Sequence, residues 1–89
     1  MKVVVLYRPD SEHARITEQY VQEFKSLHPN VDVVMMNIDS PEGTAETELY
    51  GIVQYPALLA LTDEGQLLNL WMGKSFPLMD EVYGAVINA

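Results

Sequence analysis

Two short β-branched runs bracket a helix-patterned stretch at the start of this 89-residue chain, and that order restricts the fold more than any other feature. Lys2-Val-Val-Val-Leu-Tyr7 is uninterrupted, which is how a strand reads when both of its faces are covered, so it is expected at the centre of a sheet. Pro9-Asp10-Ser11 breaks it. From Glu12 the positions Ile16, Tyr20, Phe24 and Leu27, joined by Thr17 and Val21, recur at three and four residues, which predicts an amphipathic helix ending near His28-Pro29. Val31 to Ile38 reads as a second buried strand after roughly 20 helical residues. Two strands joined this way form a parallel βαβ unit, right-handed in about 98% of cases.

The second half reads as helix, hairpin, helix. Ser40-Pro41-Glu42 has the order of an N-cap, a first-turn proline and an acid near the positive helix end, and Gly51 after Tyr50 suits a left-handed C-cap. Past Tyr55-Pro56, the segments from Ala57 to Thr62 and from Gln66 to Met72 flank Asp63-Glu64-Gly65, a tight antiparallel turn whose glycine supplies positive φ. Phe76 to Asn88 carries Leu78, Met79, Val82, Tyr83, Val86 and Ile87 at helical spacing, with Pro77 tolerated in the first turn. No repeat, low-complexity tract or linker interrupts the chain, so residues 1–89 are expected to form one α/β domain.

Composition removes whole classes of chemistry. With no cysteine among the 89 residues, there is no disulfide, no thiolate metal ligand and no sulfur nucleophile. Thirteen acids against five Lys and Arg give a net charge of −8, which repels phosphate backbones and anionic lipid, so neither nucleic acid nor membrane is an expected partner. Val3 to Tyr7 is shorter than the roughly 7–15 apolar residues of a signal-peptide core, and no stretch approaches the ~20 of a membrane span. A cytoplasmic protein is the expectation.

The order βαβ, helix, ββα resembles the minimal thioredoxin fold, and residues 37–73 carry the likeness. Asn37-Ile38-Asp39, Gly43-Thr44-Ala45, Tyr50-Gly51-Ile52, Pro56, Leu58-Leu59, Gly65 and Gly73 fall in the order of that family and nearly at its spacing. The resemblance implies a four-stranded mixed sheet in the order 2-1-3-4, with the third and fourth strands antiparallel and helices on both faces. It also implies a cis Tyr55-Pro56 bond, beside which the family pairs an extended peptide or glutathione. Between the first strand and first helix, where the family keeps Cys-x-x-Cys, this chain has Pro9-Asp10-Ser11-Glu12-His13-Ala14-Arg15. One register puts Ser11 and Ala14 at the two sulfur positions, and a register shifted by one puts Asp10 and His13 there.

In either register thiol exchange is excluded, because a hydroxyl with a pKa far above 7 forms neither thiolate nor mixed disulfide. Ser11 suits a helix N-cap, as does Asp10. His13, near Asp10 and Glu12, has the makings of a general base or a single metal ligand. His28 lies ~22 Å further along the helix, so the two histidines do not share a metal. Ser11 and His13 are two residues apart at a helix start and point to different sides, which argues against a nucleophile and base pair. The five glycines stand singly, so no phosphate loop is present and no cofactor is expected.

These readings converge on a redox-inactive binding or adaptor module that is not an enzyme. Its expected groove for a protein or extended peptide comprises Pro9, Asp10, Ser11, His13, Tyr55, Pro56, Gly73 and Lys74. Two alternatives stand beside it. Strict alternation along the last strand puts Leu67, Asn69 and Trp71 on one face, so Leu67 and Trp71 at a sheet edge offer an interface for a homodimer or larger assembly. A glutathione-binding transferase-like domain would use Ser11 to hydrogen-bond the cofactor's thiol, with Arg8, Arg15 and Lys74 as the available cationic clamps.

Overall fold

The computed structural model describes residues 1–73 and 75–87. The elements run β1 (Lys2–Tyr7), α1 (Ala14–Leu27), β2 (Asp32–Asn37), α2 (Pro41–Tyr50), β3 (Ala57–Leu61), β4 (Leu67–Met72) and α3 (Met79–Ile87). They build a four-stranded sheet in the order β2-β1-β3-β4, with β1 parallel to β2 and antiparallel to β3, and β3 antiparallel to β4. The resemblance implied this architecture, and the structure has it.

The uninterrupted run of β1 is explained by its position: Val3, Val4, Val5 and Leu6 are all buried because helices cover both sheet faces. Val3 and Val5 join Leu58 and Ala60 against Val21 and Phe24 of α1 and Val82 and Val86 of α3. On the other face Val4 and Leu6 join Leu59 and Leu61 against Ile38 and Ile52, the residues that flank α2. Fully burying a side chain of this kind stabilises by about 1.5–3 kcal/mol, so β1 and β3 carry much of the fold. At one end of the first layer His28 stacks on Tyr83 with ring centroids 3.9 Å apart, which ties the end of α1 to α3.

Local signals act as their chemistry requires in α2 and the hairpin. Ser40 Oγ accepts from Gly43 N–H at 3.0 Å, Pro41 opens the helix, and Gly51 closes it at φ 65°. In the turn, Gly65 adopts φ 91°, Gly65 N–H donates to Thr62 O, and Gln66 N–H donates to Thr62 Oγ1. Tyr50 OH reaches across to donate to Gly65 O at 2.6 Å and so joins the end of α2 to the hairpin tip.

Four expectations need correction. The strand β2, at the edge where the order 2-1-3-4 puts it, is only half-buried from Val33 to Met36 rather than buried, because just one strand neighbours it. Helix α1 starts at Ala14 rather than Glu12 and buries Ala14, Thr17, Val21 and Phe24, which leaves Ile16 and Leu27 exposed. Helix α3 starts at Met79, beyond Pro77, with Leu78 exposed; Asn88 lies outside the described residues. Finally, a register shift opposite Ala60 and Leu61 inserts an extra residue into β4, so that Asn69 faces Ala60 while Leu67 faces Leu61. Leu67 therefore lies on the α2 face of the sheet, whereas Trp71, opposite Leu58, packs in the layer under α1 and α3. The two do not form one patch.

Candidate functional site

The carboxyl end of β1 leads into a loop, residues 8–13, that is folded onto itself around Arg8. Ser11 N–H and Ser11 Oγ both donate to the Arg8 carbonyl, at 3.1 and 2.6 Å. With its hydroxyl turned back in this way, Ser11 does not cap α1. The N-cap is His13, whose side chain makes no capping bond, and the helix begins one residue later. Instead the His13 ring accepts through Nε2 from the Arg8 N–H at 3.2 Å. The Arg8 guanidinium donates to both carboxylate oxygens of Asp39, at 3.1 and 3.4 Å, and so anchors the loop to the end of β2. Burial, helped by the Arg8 charge, holds the His13 pKa below its ordinary 6.5 and so favours the neutral ring.

Facing this loop is the connection from α2 to β3, where the Tyr55-Pro56 bond is cis. Between them opens a cleft of about 560 Å3, within the range of roughly 300–1,000 Å3 usual for ligand pockets. Its polar groups come from Arg8, Ser11, Glu12, His13 and Gln54; its apolar lining comes from Ile16, Ile38, Val53, Tyr55 and Phe76. Phe76 is held by stacking on Tyr20 at 4.7 Å, while Tyr20 OH donates to Pro77 O at 2.9 Å. The backbone groups of Tyr55 enter none of the turn and loop hydrogen bonds among the described residues.

Of the residues singled out from sequence, Ser11, His13 and Tyr55 meet on the cleft wall. Pro56 is buried behind it, with its carbonyl accepting from Gly73 N–H at 3.0 Å. Pro9 and Asp10 are exposed in the loop and do not line the cleft. Lys74 lies outside the described residues. Sequence reasoning missed Ile16, Ile38, Val53, Gln54 and Phe76. Ile16 was readable in principle: Thr17, Val21 and Phe24 define one helical face, and Ile16 is a turn of 100° away from Thr17.

Among the described residues, no group of three or more His, Asp or Glu side chains is arranged to hold a metal ion, and no helix is long and apolar enough to cross a membrane. What the cleft does offer is apolar surface with a few convergent polar groups.

Neither a protein-family model nor a curated protein sequence matches the chain. Solved structures do match it. It is similar to mitochondrial thioredoxin 3 from Saccharomyces cerevisiae, with a TM-score of 0.75 at 15% identity over 99% of this chain and 77% of that one. It is similar also to thioredoxin 1 from Thermosipho africanus, with a TM-score of 0.71 at 10% identity over 99% and 92% of the two chains. Thioredoxin O2 from Arabidopsis thaliana gives 0.71 at 13% identity over 98% and 72%. The fold is therefore thioredoxin-like. These 89 residues have that fold without cysteine, and so without the thiol on which disulfide exchange depends.

Proposed function

We propose that the chain is a redox-inactive thioredoxin-like binding module that holds an extended segment of a protein partner in the cleft between residues 8–13 and Tyr55. One observation carries the reading. Ile16 of α1 and Val53 of the α2 to β3 connection line the cleft while 58% and 76% exposed. Leaving an aliphatic side chain in water forgoes up to about 1.5–3 kcal/mol relative to full burial, and a partner's apolar side chain set between these two recovers part of it. Ser11, Gln54 and the Tyr55 backbone supply hydrogen-bonding groups at the same surface, as strand-like peptide recognition requires. None of this needs sulfur.

The test is to pan a random-peptide display library on the immobilised full chain, then repeat the capture with variants. Enriched peptides should carry an apolar residue and should lose capture on Ile16→Asp or Val53→Asp. They should keep it on Leu27→Asp, an equally exposed change at the far end of α1. Enrichment that ignores the two cleft variants, or no enrichment at all, would refute the reading.

A further inference from the structure

We propose that His13 is a proton-operated latch on the loop of residues 8–13: the neutral ring holds that wall of the cleft, and protonation releases the wall together with the segment bound against it. The release of a partner rests on the binding function proposed above, whereas the latch itself rests on the geometry of the loop.

Three ties converge on Arg8. Its carbonyl is held by Ser11, its guanidinium by Asp39, and its N–H by His13 Nε2. Only the last tie depends on a group whose ordinary titration falls between about pH 5 and 8. A neutral ring with a bare Nε2 accepts the Arg8 N–H, but a protonated Nε2 carries a hydrogen and has no lone pair to offer. Two donors then face each other where one hydrogen bond stood. The ring has to turn away, and the segment between β1 and α1 loses the contact that links its two ends.

The surroundings offer the imidazolium little in exchange. The charged groups lining the cleft beside it are Arg8 and Glu12; the Arg8 cation repels it, Asp39 is already engaged with Arg8, and Glu12 is exposed, so water screens its attraction. His13 also stands at the N-terminus of α1, the positive end of the helix, where a cation is unfavourable. Across the cleft stand Val53, Gln54, Tyr55 and Phe76, and none of these is an Asp, Glu, Lys, Arg or His side chain.

The sign of the pH dependence follows. Since burial and Arg8 hold the ring's pKa below 6.5 in the folded chain, the closed loop has its full stability above 6.5 and loses it as pH falls through the lower folded value. A segment lying over His13 takes it further from water, so binding too favours the neutral ring and weakens on acidification.

The latch is tested on the free full chain by following backbone amides from about pH 7.5 to about pH 5. The amides of Arg8, Ser11 and His13 should move together with the His13 ring protons, with a midpoint below 6.5. In His13→Gln, and in His13→Asn as a second variant, those amides should stay still. An Arg8 amide that does not move while the His13 ring titrates, or that moves equally in the variants, overturns the latch. The consequence for binding is read with a peptide captured on the display library, measured at the two ends of the range. Affinity should fall several-fold on acidification for the parent chain and stay level for His13→Gln; equal falls in both overturn the coupling. If no peptide is captured, the binding reading fails, and the amide titration still decides the latch.

Discussion

Gly43, in the first turn of α2, packs so tightly on the backbone of Asn37 at the end of β2 that a β-carbon there would overlap the Asn37 carbonyl oxygen and stand 2.7 Å from its carbon. This close approach sets the path of α2 over the sheet, and with it the start of the α2 to β3 connection that forms one wall of the cleft. A backbone neighbour cannot swing aside as a side chain can. Gly43→Ala should therefore destabilise the fold by about 1–3 kcal/mol, the usual cost of overpacking. Gly84 in α3 has open space around it, and Gly84→Ala should stabilise by about 0.5–1 kcal/mol through backbone entropy. Urea unfolding midpoints of the two variants should move in opposite directions; equal shifts would contradict the contact.

Tyr20 joins α1 to the segment before α3 through its hydroxyl bond to Pro77 and its stack on Phe76. Burial, aided by Glu81, pushes its pKa up to about 12 from 10. A phenol whose folded value lies above its unfolded value contributes stability that is complete below 10 and is lost as pH rises through 12. Tyr20→Phe keeps the ring and removes the ionisation, so the fall in unfolding midpoint between these pH values should be smaller in the variant. An identical alkaline decline in both proteins would remove Tyr20 from that role.

What could be read from the sequence, and what could not, follows from the range of the forces involved. The strands β1 and β3, the capped helix α2 and the hairpin turn depend on local chemistry: β-branched runs, Ser40-Pro41, Gly51 and Gly65. Three features depend on contacts distant in sequence or specific to the loop. The start of α1 slips to Ala14, and the side chains of Ser11 and His13 bond to Arg8 instead of capping the helix. The bulge in β4 has no residue signature and reverses the alternation for Leu67. The cleft walls were hidden because the three-and-four spacing put Ile16 on the apolar face of α1 and no local signal marked Val53, although both face solvent.

The bulge separates the two residues that strict alternation would unite, and stability should show it. Trp71 packs in the layer beneath α1 and α3, half-buried, so Trp71→Ala should cost about 2 kcal/mol, less than the 3–5 kcal/mol of a fully buried aromatic. Leu67→Lys, at an exposed position on the other face, should stay within about 0.5 kcal/mol of the parent. Thermal unfolding of the pair provides the check, and comparable losses would restore the shared patch.

Exposure at the cleft makes a companion prediction. Because Ile16 and Val53 lie mostly in solvent, Ile16→Asp and Val53→Asp should leave unfolding free energy within about 0.5 kcal/mol of the parent. Chemical denaturation measures this directly. A loss of 2 kcal/mol or more, on the scale of a core truncation, would mark these side chains as structural rather than as recognition surface.

The most direct measurement is a map of backbone amide shifts on adding a library-captured peptide to the full chain. The shifts should concentrate at Ser11, His13, Ile16, Val53, Gln54 and Tyr55, the residues around the cleft. Shifts gathered instead at Asp63 and Glu64 beyond the far end of the sheet, or along the exposed edge of β4, would contradict a binding module built on this cleft.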